Sequence, residues 1–400
     1  MRLTRVGGLR QAALGVLLAG AVVWAGSCSD VSYYWQAVGG QLEIVQKRRP
    51  IGVVLADPDV PERIKARLRL AMRVQSFAIA TLELPADGSY RYYADLGREY
   101  VSWLVVAAPA LEMKEHTWCY PIAGCLGYRG YFDRADAEKL AARMRADGFD
   151  VLLRPVRAYS TLGWFDDPLL NTFIQQAELD LMATLIHEHA HRRVWVSGDT
   201  EFNESFAVFV EREGLRRFLE QNARDPTLAG GLTPEAFQAR HRAFQADRDR
   251  FQALALSGRQ RLVDLYAAAL PDAGKRARKT EVLDEIRRDY EKQRSSFTLL
   301  NYDEWFGPNL NNATLAGIAQ YHVRIDAFAA LFEEQGRNFG KFYAACEALG
   351  RLGPSARQAE LNRLTAGAAT RTKRSATLPR HPRVPPVAAV QSLKANHVAR

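Results

Sequence analysis

Cysteine is scarce in this sequence, and long apolar runs are missing. Four cysteines in 400 residues are too few for a small disulfide-rich scaffold. No apolar run reaches the roughly 20 residues that a helix needs to span a bilayer. Hydrophobic residues make up 48% of the chain and charged residues 25%, a composition that allows a large core and excludes general disorder. The sequence therefore predicts one large globular domain or two smaller ones.

Acidic residues are absent from both ends of the chain. Residues 1–27 carry three arginines, and residues 366–400 carry seven lysines or arginines. Removing these cations from the net charge of +9 leaves −1 for residues 28–365. The body is thus nearly neutral and offers no basic face for nucleic acid. The Pro-rich, non-periodic segment 366–400 predicts a disordered basic tail, with contact to an anionic membrane or cell wall as the alternative.

The first 27 residues have the pattern of an export signal. Arg2, Arg5 and Arg10 precede an apolar run over 12–26. This run is short for a transmembrane helix and typical of a signal peptide. The run ends in "WAGSC", which resembles the lipobox of bacterial lipoproteins and predicts lipidation of Cys28. The mature protein would then face the periplasm from the bacterial cell envelope. Ala25 stands where leucine is usual, so secretion without a lipid and a short uncleaved anchor are the alternatives.

Three further cysteines belong to the body of the protein. Because an exported chain enters an oxidising compartment, Cys119 and Cys125, which bracket "YPIAG", are predicted to form a small loop disulfide. A metal cluster of both cysteines with His116 is the alternative, although this spacing matches no strong zinc pattern. Cys346 is predicted to be a small buried apolar residue.

The first half of the body combines helical and strand patterns. Asp59 and Pro61 predict a turn into a helix that carries "ERIKARLRLAMRVQSFAIA". Residues 89–156 are rich in branched and aromatic residues and predict strands around one helix, which Gly148 ends. We therefore expect a small mixed α/β insert at 89–156.

The second half is dominated by helical patterns. Asp167 and Pro168 match an N-cap and first helical position, which predicts one long helix to about Arg193. A second helix is predicted over 203–213, ended by Gly214. Further helices are predicted over 233–270, over 279–295 and within "NNATLAGIAQYHVRIDAFAALFEEQG". The predicted fold class is α+β, with functional helices at 167–214 and a helical body at 233–350.

Three of the eight histidines fall within five consecutive residues, in "LIHEHAHRRV". His187 and His191 are four residues apart, so on a helix they lie one turn apart on nearly the same face. Two such imidazoles can bind one Zn²⁺, and Glu188 beside them can take a proton from a zinc-bound water. This is the HExxH pattern of zinc proteases. His189 faces elsewhere, and we expect it to be hydrogen-bonded within the packing.

A catalytic zinc also needs a third protein ligand. Glu204 is the first candidate because it lies in the next predicted helix, with twelve residues between it and His191. Its segment "NESFAVFVE" is similar to the "NEGFA" segment of Glu-zincin aminopeptidases, in which the glutamate is the third ligand after a longer connection. Glu201 and Glu211 are the alternative ligands.

Longer segments resemble one protein family. Across residues 28–342 they are "CSDVSYYWQAVGGQL", "TWCYPIAGCLGYRGYFD", "AYSTLGWFDDP", "LIHEHAHRRVWVSGDTEFNESFAVFVEREG" and "NNATLAGIAQYHVRIDAF". These segments resemble a family of bacterial lipoproteins described as zinc aminopeptidases. The resemblance implies a zincin-like metallopeptidase fold with His187, His191 and Glu204 as zinc ligands and Glu188 as the catalytic residue.

The predicted reaction is hydrolysis of a peptide substrate. Zn²⁺ lowers the pKa of bound water to about 7, and Glu188 would accept its proton and pass it to the leaving amine. Tyr321 and His322 are candidate donors to the oxyanion. Aminopeptidase rather than endopeptidase action rests on the resemblance alone. The candidate acids for binding a substrate amino group are Asp166, Asp167, Asp199 and Glu201.

A different class of function is the alternative. The chain would then be a non-catalytic envelope lipoprotein, with structural zinc or none, that acts in binding or assembly. Its interaction surface would be the charged helices over 233–295, whose simpler interpretation is a solvated face.

Overall fold

The computed structural model describes residues 28–120, 124–158, 167–225, 233–318 and 324–376. Several predictions from the sequence lie outside these residues: the signal peptide over 1–27, the candidate oxyanion donors Tyr321 and His322, and the candidate acid Asp166.

Thirteen helices and eight strands lie in the described ranges. The helices are α1 Cys28–Lys47, α2 Ile51–Ala56, α3 Glu62–Leu82, α4 Arg134–Ala146, α5 Asn171–Ile174, α6 Glu178–His191, α7 Thr200–Gln221, α8 Pro234–Ala267, α9 Asp272–Gln293, α10 Asn312–Ala316, α11 Ile325–Glu334, α12 Phe339–Arg351 and α13 Pro354–Ala376. The strands are β1 Arg48–Pro50, β2 Tyr92–Ala94, β3 Ser102–Pro109, β4 Trp118–Tyr120, β5 Gly124–Leu126, β6 Tyr128–Tyr131, β7 Phe149–Val156 and β8 Leu169–Leu170. The α+β class predicted from the sequence is confirmed.

The mixed α/β insert is built on an antiparallel sheet in the order β6-β3-β7. Helix α4 covers one face of this sheet with Ala137, Leu140 and Ala141, which join a small core of their own. Gly148 follows α4 with a φ of +86°, a left-handed conformation that favours glycine and turns the chain into β7. The predicted strand–helix–strand unit is therefore present.

A two-stranded hairpin of β4 and β5 projects from the insert. Cys119 and Cys125 are directly paired across this hairpin and form a disulfide, as predicted. Their sulfurs are therefore committed to each other, which removes the alternative metal cluster with His116. Cys346 is a free, fully buried cysteine in α12, also as predicted.

The largest core joins α3, α6, α7, α11 and α12. Gly214 lies in the middle of α7, where a Cβ atom would come within 2.6 Å of Leu82 and 3.0 Å of Ile186. The prediction that Gly214 ends this helix is wrong, because the glycine instead lets α3 and α6 approach α7 closely. Helix α7 begins at Thr200 and continues to Gln221.

The predicted long helix from Asp167 is also wrong at its start. After Pro168 the chain forms β8, which pairs in parallel with β2, and then the short α5. The main-chain carbonyl of the buried Asp167 accepts a hydrogen bond from the backbone N–H of Tyr90. The capping signal was outweighed by sheet pairing, and the histidine helix α6 begins only at Glu178.

The later helices follow the sequence patterns closely. Thr233 caps α8, its hydroxyl accepting a hydrogen bond from the N–H of Ala236, and Pro234 occupies the first helical position. Helix α9 begins at Asp272, seven residues before the predicted 279. Helix α13 runs to Ala376, so the predicted boundary of a disordered tail at 366 falls inside a helix.

None of the helices in the described ranges has both the length and the apolar character needed to traverse a bilayer.

Candidate metal centre

Helix α6 directs two histidines at the neighbouring helix α7. Its opposite face buries Ile186 and Ala190 completely in the main core, which fixes the rotation of the helix. The Nε2 atoms of His187 and His191 lie 3.1 Å apart. The one-turn spacing in the sequence therefore brings both imidazoles to one point in space.

Glu204 reaches the same point from α7. Its carboxylate oxygens lie 3.3 Å from His187 Nε2 and 3.6 Å from His191 Nε2. Asn203 stabilises the short loop between α6 and α7 that brings Glu204 to this point. Its side-chain amide accepts from the N–H of Val196 and donates to the carbonyl of Val196, both at 2.8 Å, which closes the loop between α6 and α7.

The three side chains are close enough together to bind one ion. One ligand atom from each lies within 4.8 Å of the other two, and ligand atoms bound to one zinc ion at about 2.0–2.1 Å are closer to each other than that. Across the described ranges, no other group of three His, Cys, Asp or Glu side chains is arranged so that it could hold a metal. His187, His191 and Glu204 could therefore hold a metal ion.

Glu211, an alternative ligand from the sequence, binds the other side of His187. The Nδ1 atom of His187 donates a hydrogen bond to Glu211 Oε2 at 3.2 Å, and Arg248 of α8 forms an ion pair with the other carboxylate oxygen. Burial favours the neutral acid, but Arg248 and His187 hold the pKa of the Glu211 carboxyl well below its usual range. Glu211 therefore orients a metal ligand instead of serving as one.

The two carboxylates that flank His187 make the site attractive to positive charge. Burial alone would lower the pKa of His187, but the hydrogen bonds and charges of Glu204 and Glu211 outweigh it and raise this pKa to about 10. Burial would raise the pKa of Glu204, yet the two histidines hold it well below its usual range. The field that stabilises an imidazolium here also favours a divalent cation.

Glu188 lies beside the two histidines and is partly buried. Burial raises the pKa of its carboxyl, while the neighbouring His187 and His191 oppose that rise. Glu188 lines a cavity of about 420 Å³ together with His187, Glu211 and Arg248. A carboxylate with a raised pKa next to a metal site has the properties of a general base that later returns its proton.

A larger cleft of about 700 Å³ adjoins this cavity, and both are lined by Asn301 and Tyr302. Tyr128, at the start of β6, lines the larger cleft. The Tyr128 side chain is 39% exposed, but desolvation of its hydroxyl and the negative charges of Glu204 and Glu188 raise the pKa of that group to about 12. This tyrosine therefore lies within electrostatic range of the centre. Its only local signal in the sequence is its place in a β-rich segment.

Two of the acids expected to bind a substrate amino group, Asp199 and Glu201, lie in ion pairs with arginines. Glu201 pairs with Arg324 at 2.8 Å, and Asp199 caps α7 and pairs with Arg357 at 2.8 Å. Two acids, Glu115 and Glu304, line the larger cleft, and the carboxylate of Glu115 lies close to Gly127. Neither acid stands in a motif of the sequence that points to a site.

His189 points away from the centre, as expected. Its Nε2 atom lies 2.6 Å from the carbonyl oxygen of Pro85, and the side chain is almost fully buried. It is a packed, hydrogen-bonded histidine on the far side of α6.

Comparisons with known proteins give one clear result. A family model described as "Putative aminopeptidase" matches residues 32–361, a range that contains the whole metal centre and the cleft. No curated protein and no solved structure matches the chain. Because the match covers most of the sequence, this chain belongs to the putative aminopeptidase family.

Proposed function

We propose that this protein is a zinc-dependent aminopeptidase with a zincin-like active site. The observation that carries the proposal is the convergence of His187, His191 and Glu204 on one point, next to the partly buried Glu188. Membership in the aminopeptidase family supports the reaction class. Two helices supply all four residues, which is the arrangement that the HExxH pattern requires.

In this proposal, His187, His191 and Glu204 hold the ion, and Glu211 orients His187 through Nδ1. A bound Zn²⁺ supplies Lewis acidity and makes water acidic enough to react near neutral pH. Glu188 accepts the proton of the attacking water on its carboxylate and returns it to the leaving amine. The hydroxyl of Tyr128 keeps its proton at neutral pH and would be a donor to substrate in the cleft.

The cleft supports action at chain ends. A free α-amino group is a cation, and Glu115 lines the cleft with its carboxyl group. An aminopeptidase needs one such anchor near its reacting centre. We therefore add Glu115 to Asp166 and Asp167 as a candidate for binding the substrate amino group.

The proposed location is the bacterial cell envelope. It rests on the arginine-rich start, the apolar run over 12–26 and the lipobox-like "WAGSC" that ends at Cys28. In this proposal the protein is exported, processed and anchored through a lipid on Cys28, with its body in the periplasm.

The test combines metal analysis with a peptide library. Purified protein is expected to contain one zinc per chain and to release amino-terminal residues from library peptides. Glu188→Gln should keep the zinc and lose hydrolysis, whereas Glu204→Ala should lose both. Glu201→Gln is the matched control, because Glu201 lies on the same helix and pairs with Arg324 outside the site. Zinc without hydrolysis of any peptide would instead favour a non-catalytic binding or assembly protein.

A further inference from the structure

Helix α1 carries an apolar stripe that faces away from the protein. Trp35, Val38 and Leu42 are 73%, 51% and 52% exposed, and Tyr34 beside them is 46% exposed. At about 100° per residue, the first three lie within an arc of about 60° on one face of the helix. Large apolar side chains with this degree of exposure in a continuous row mark an interaction surface.

The opposite face of α1 is firmly seated on the body. Ile44 is 1% exposed, and Gly40 packs against the ring of Phe132. The side chain of Gln36 donates to the carbonyl of Gly130 and accepts from the N–H of Phe132 at 2.9 Å. These contacts fix the rotation of the helix, so the apolar stripe cannot turn inward.

The stripe is also free of charge. Between residues 34 and 46 the only charged residue is Glu43. Glu43 lies toward the body and pairs with Arg98 at 2.7 Å and with Lys47 at 2.9 Å. A charge-free apolar stripe containing an exposed tryptophan matches the face of an interfacial helix that lies in the headgroup region of a bilayer.

The proposed lipidation site indicates which surface covers the stripe. Cys28 is the first described residue of α1. At 1.5 Å per residue, Trp35 lies only about 10 Å along the helix from that cysteine. A lipid on Cys28 would hold this end of α1 at the bilayer surface.

We propose that α1 docks on the lipid bilayer through Trp35, Val38 and Leu42. The proposal rests on the proposed attachment at Cys28 but not on the peptidase reaction. Docking adds a second, apolar contact to the lipid anchor, and two such contacts fix orientation where a single flexible tether does not.

Docking of α1 would also hold the proposed catalytic cleft close to the membrane surface. Gln36 binds β6 near its end, and the first residue of β6, Tyr128, lines the cleft. A strand of four residues spans only about 13 Å. The substrates within reach would therefore be chain ends held close to the membrane surface.

The experiment uses the exported, processed protein in vesicles of phosphatidylethanolamine and phosphatidylglycerol with brominated acyl chains, which quench tryptophan fluorescence at the bilayer. We expect clear quenching in the unmodified protein and loss of more than half of it in Trp35→Phe. Trp195→Phe is the matched control, since Trp195 is also exposed, at 45%. It should keep the quenching. Equal quenching in both variants would overturn the proposal.

Two further measurements separate the possible failures. Mass spectrometry of the amino-terminal peptide reports the lipid on Cys28 independently of docking, so lipidated protein with an unquenched Trp35 overturns docking alone. Light scattering in detergent tests the alternative that a second copy of the chain covers the stripe. A dimer that becomes a monomer in the Val38→Gln, Leu42→Gln double variant would show that a second copy covers the stripe. Peptide hydrolysis is measured separately, so failure of the proposed reaction remains distinguishable.

Discussion

Glu211 accepts a hydrogen bond from Nδ1 of His187 at 3.2 Å, on the side of the imidazole opposite the carboxylate of Glu204. The two glutamates are seven residues apart on α7, and each binds one nitrogen of the same ring. One helix thus supplies both a candidate metal ligand and the group that orients the ligand on its neighbour. Once His187 loses its second proton, the arrangement favours the tautomer with Nε2 available to a metal.

Removing the orienting charge should weaken metal binding. Glu211→Gln is expected to lower zinc affinity 10-fold to 100-fold, the usual effect of losing such a partner. Competition with a chromophoric chelator measures it. Glu213→Gln is the control, because Glu213 pairs with Arg216 and Arg217 on the same helix. Equal affinity in Glu211→Gln and the native protein would contradict the orienting role.

Metal binding should displace a proton from His187. The two glutamates raise the pKa of this histidine to about 10, so without metal it is protonated at neutral pH. Zinc affinity should rise with pH and level off toward pH 10, with about one proton released per zinc at pH 7 to 8. Calorimetric titration in two buffers of different ionisation enthalpy counts the protons. A heat that is independent of the buffer would exclude the displacement.

The same pKa has a consequence for the metal-free protein. A folded-state pKa above the unfolded value of about 6.5 adds stability that is fully present below pH 6.5 and is lost as the pH rises toward 10. Urea unfolding of chelator-treated protein at pH 6 and pH 9.5 should show this loss. His187→Asn should flatten this part of the pH dependence.

Glu115 should determine the preference for free amino termini. Glu115→Gln is expected to raise KM about 10-fold to 100-fold for peptides with a free amino group, because a charge-assisted hydrogen bond contributes about 1.5–3 kcal/mol. N-acetylated peptides lack this cation and should be hydrolysed equally poorly by both proteins. Glu304→Gln, on the exposed wall of the same cleft, is the control for a general loss of negative charge. An equal change of KM in both variants would show that the overall negative charge of the cleft, and not Glu115 itself, causes the effect.

Asn203 should couple the stability of the loop to the metal centre. Asn203→Ala removes two hydrogen bonds to Val196 and is expected to lower the free energy of unfolding by about 2 kcal/mol. Asn203→Asp keeps the acceptor and loses the donor, so its effect should be smaller. Chemical denaturation measures both, and zinc affinity should fall in the same order because Glu204 is the next residue. Unchanged stability in Asn203→Ala would contradict this role of the loop.

Local patterns account for what the sequence alone determined. The meeting of His187 and His191 follows from the helical period, and the pairing of Cys119 with Cys125 follows from a separation of six residues. The cap of α8 at Thr233 is likewise a matter of neighbouring residues. Each of these features depends on a few adjacent positions, so composition and spacing were sufficient to predict it.

The tertiary structure decided what depended on distant segments. Asp167 and Pro168 read locally as a helix start, but pairing of β8 with β2, some 75 residues earlier in the chain, made the following residues a strand. Glu204 and Glu211 share one helix, and only the position of α6 shows which glutamate faces Nε2 and which faces Nδ1. Tyr128 and Glu115 come to the cleft from the mixed insert, and such long-range packing leaves no periodic signal in the sequence around them.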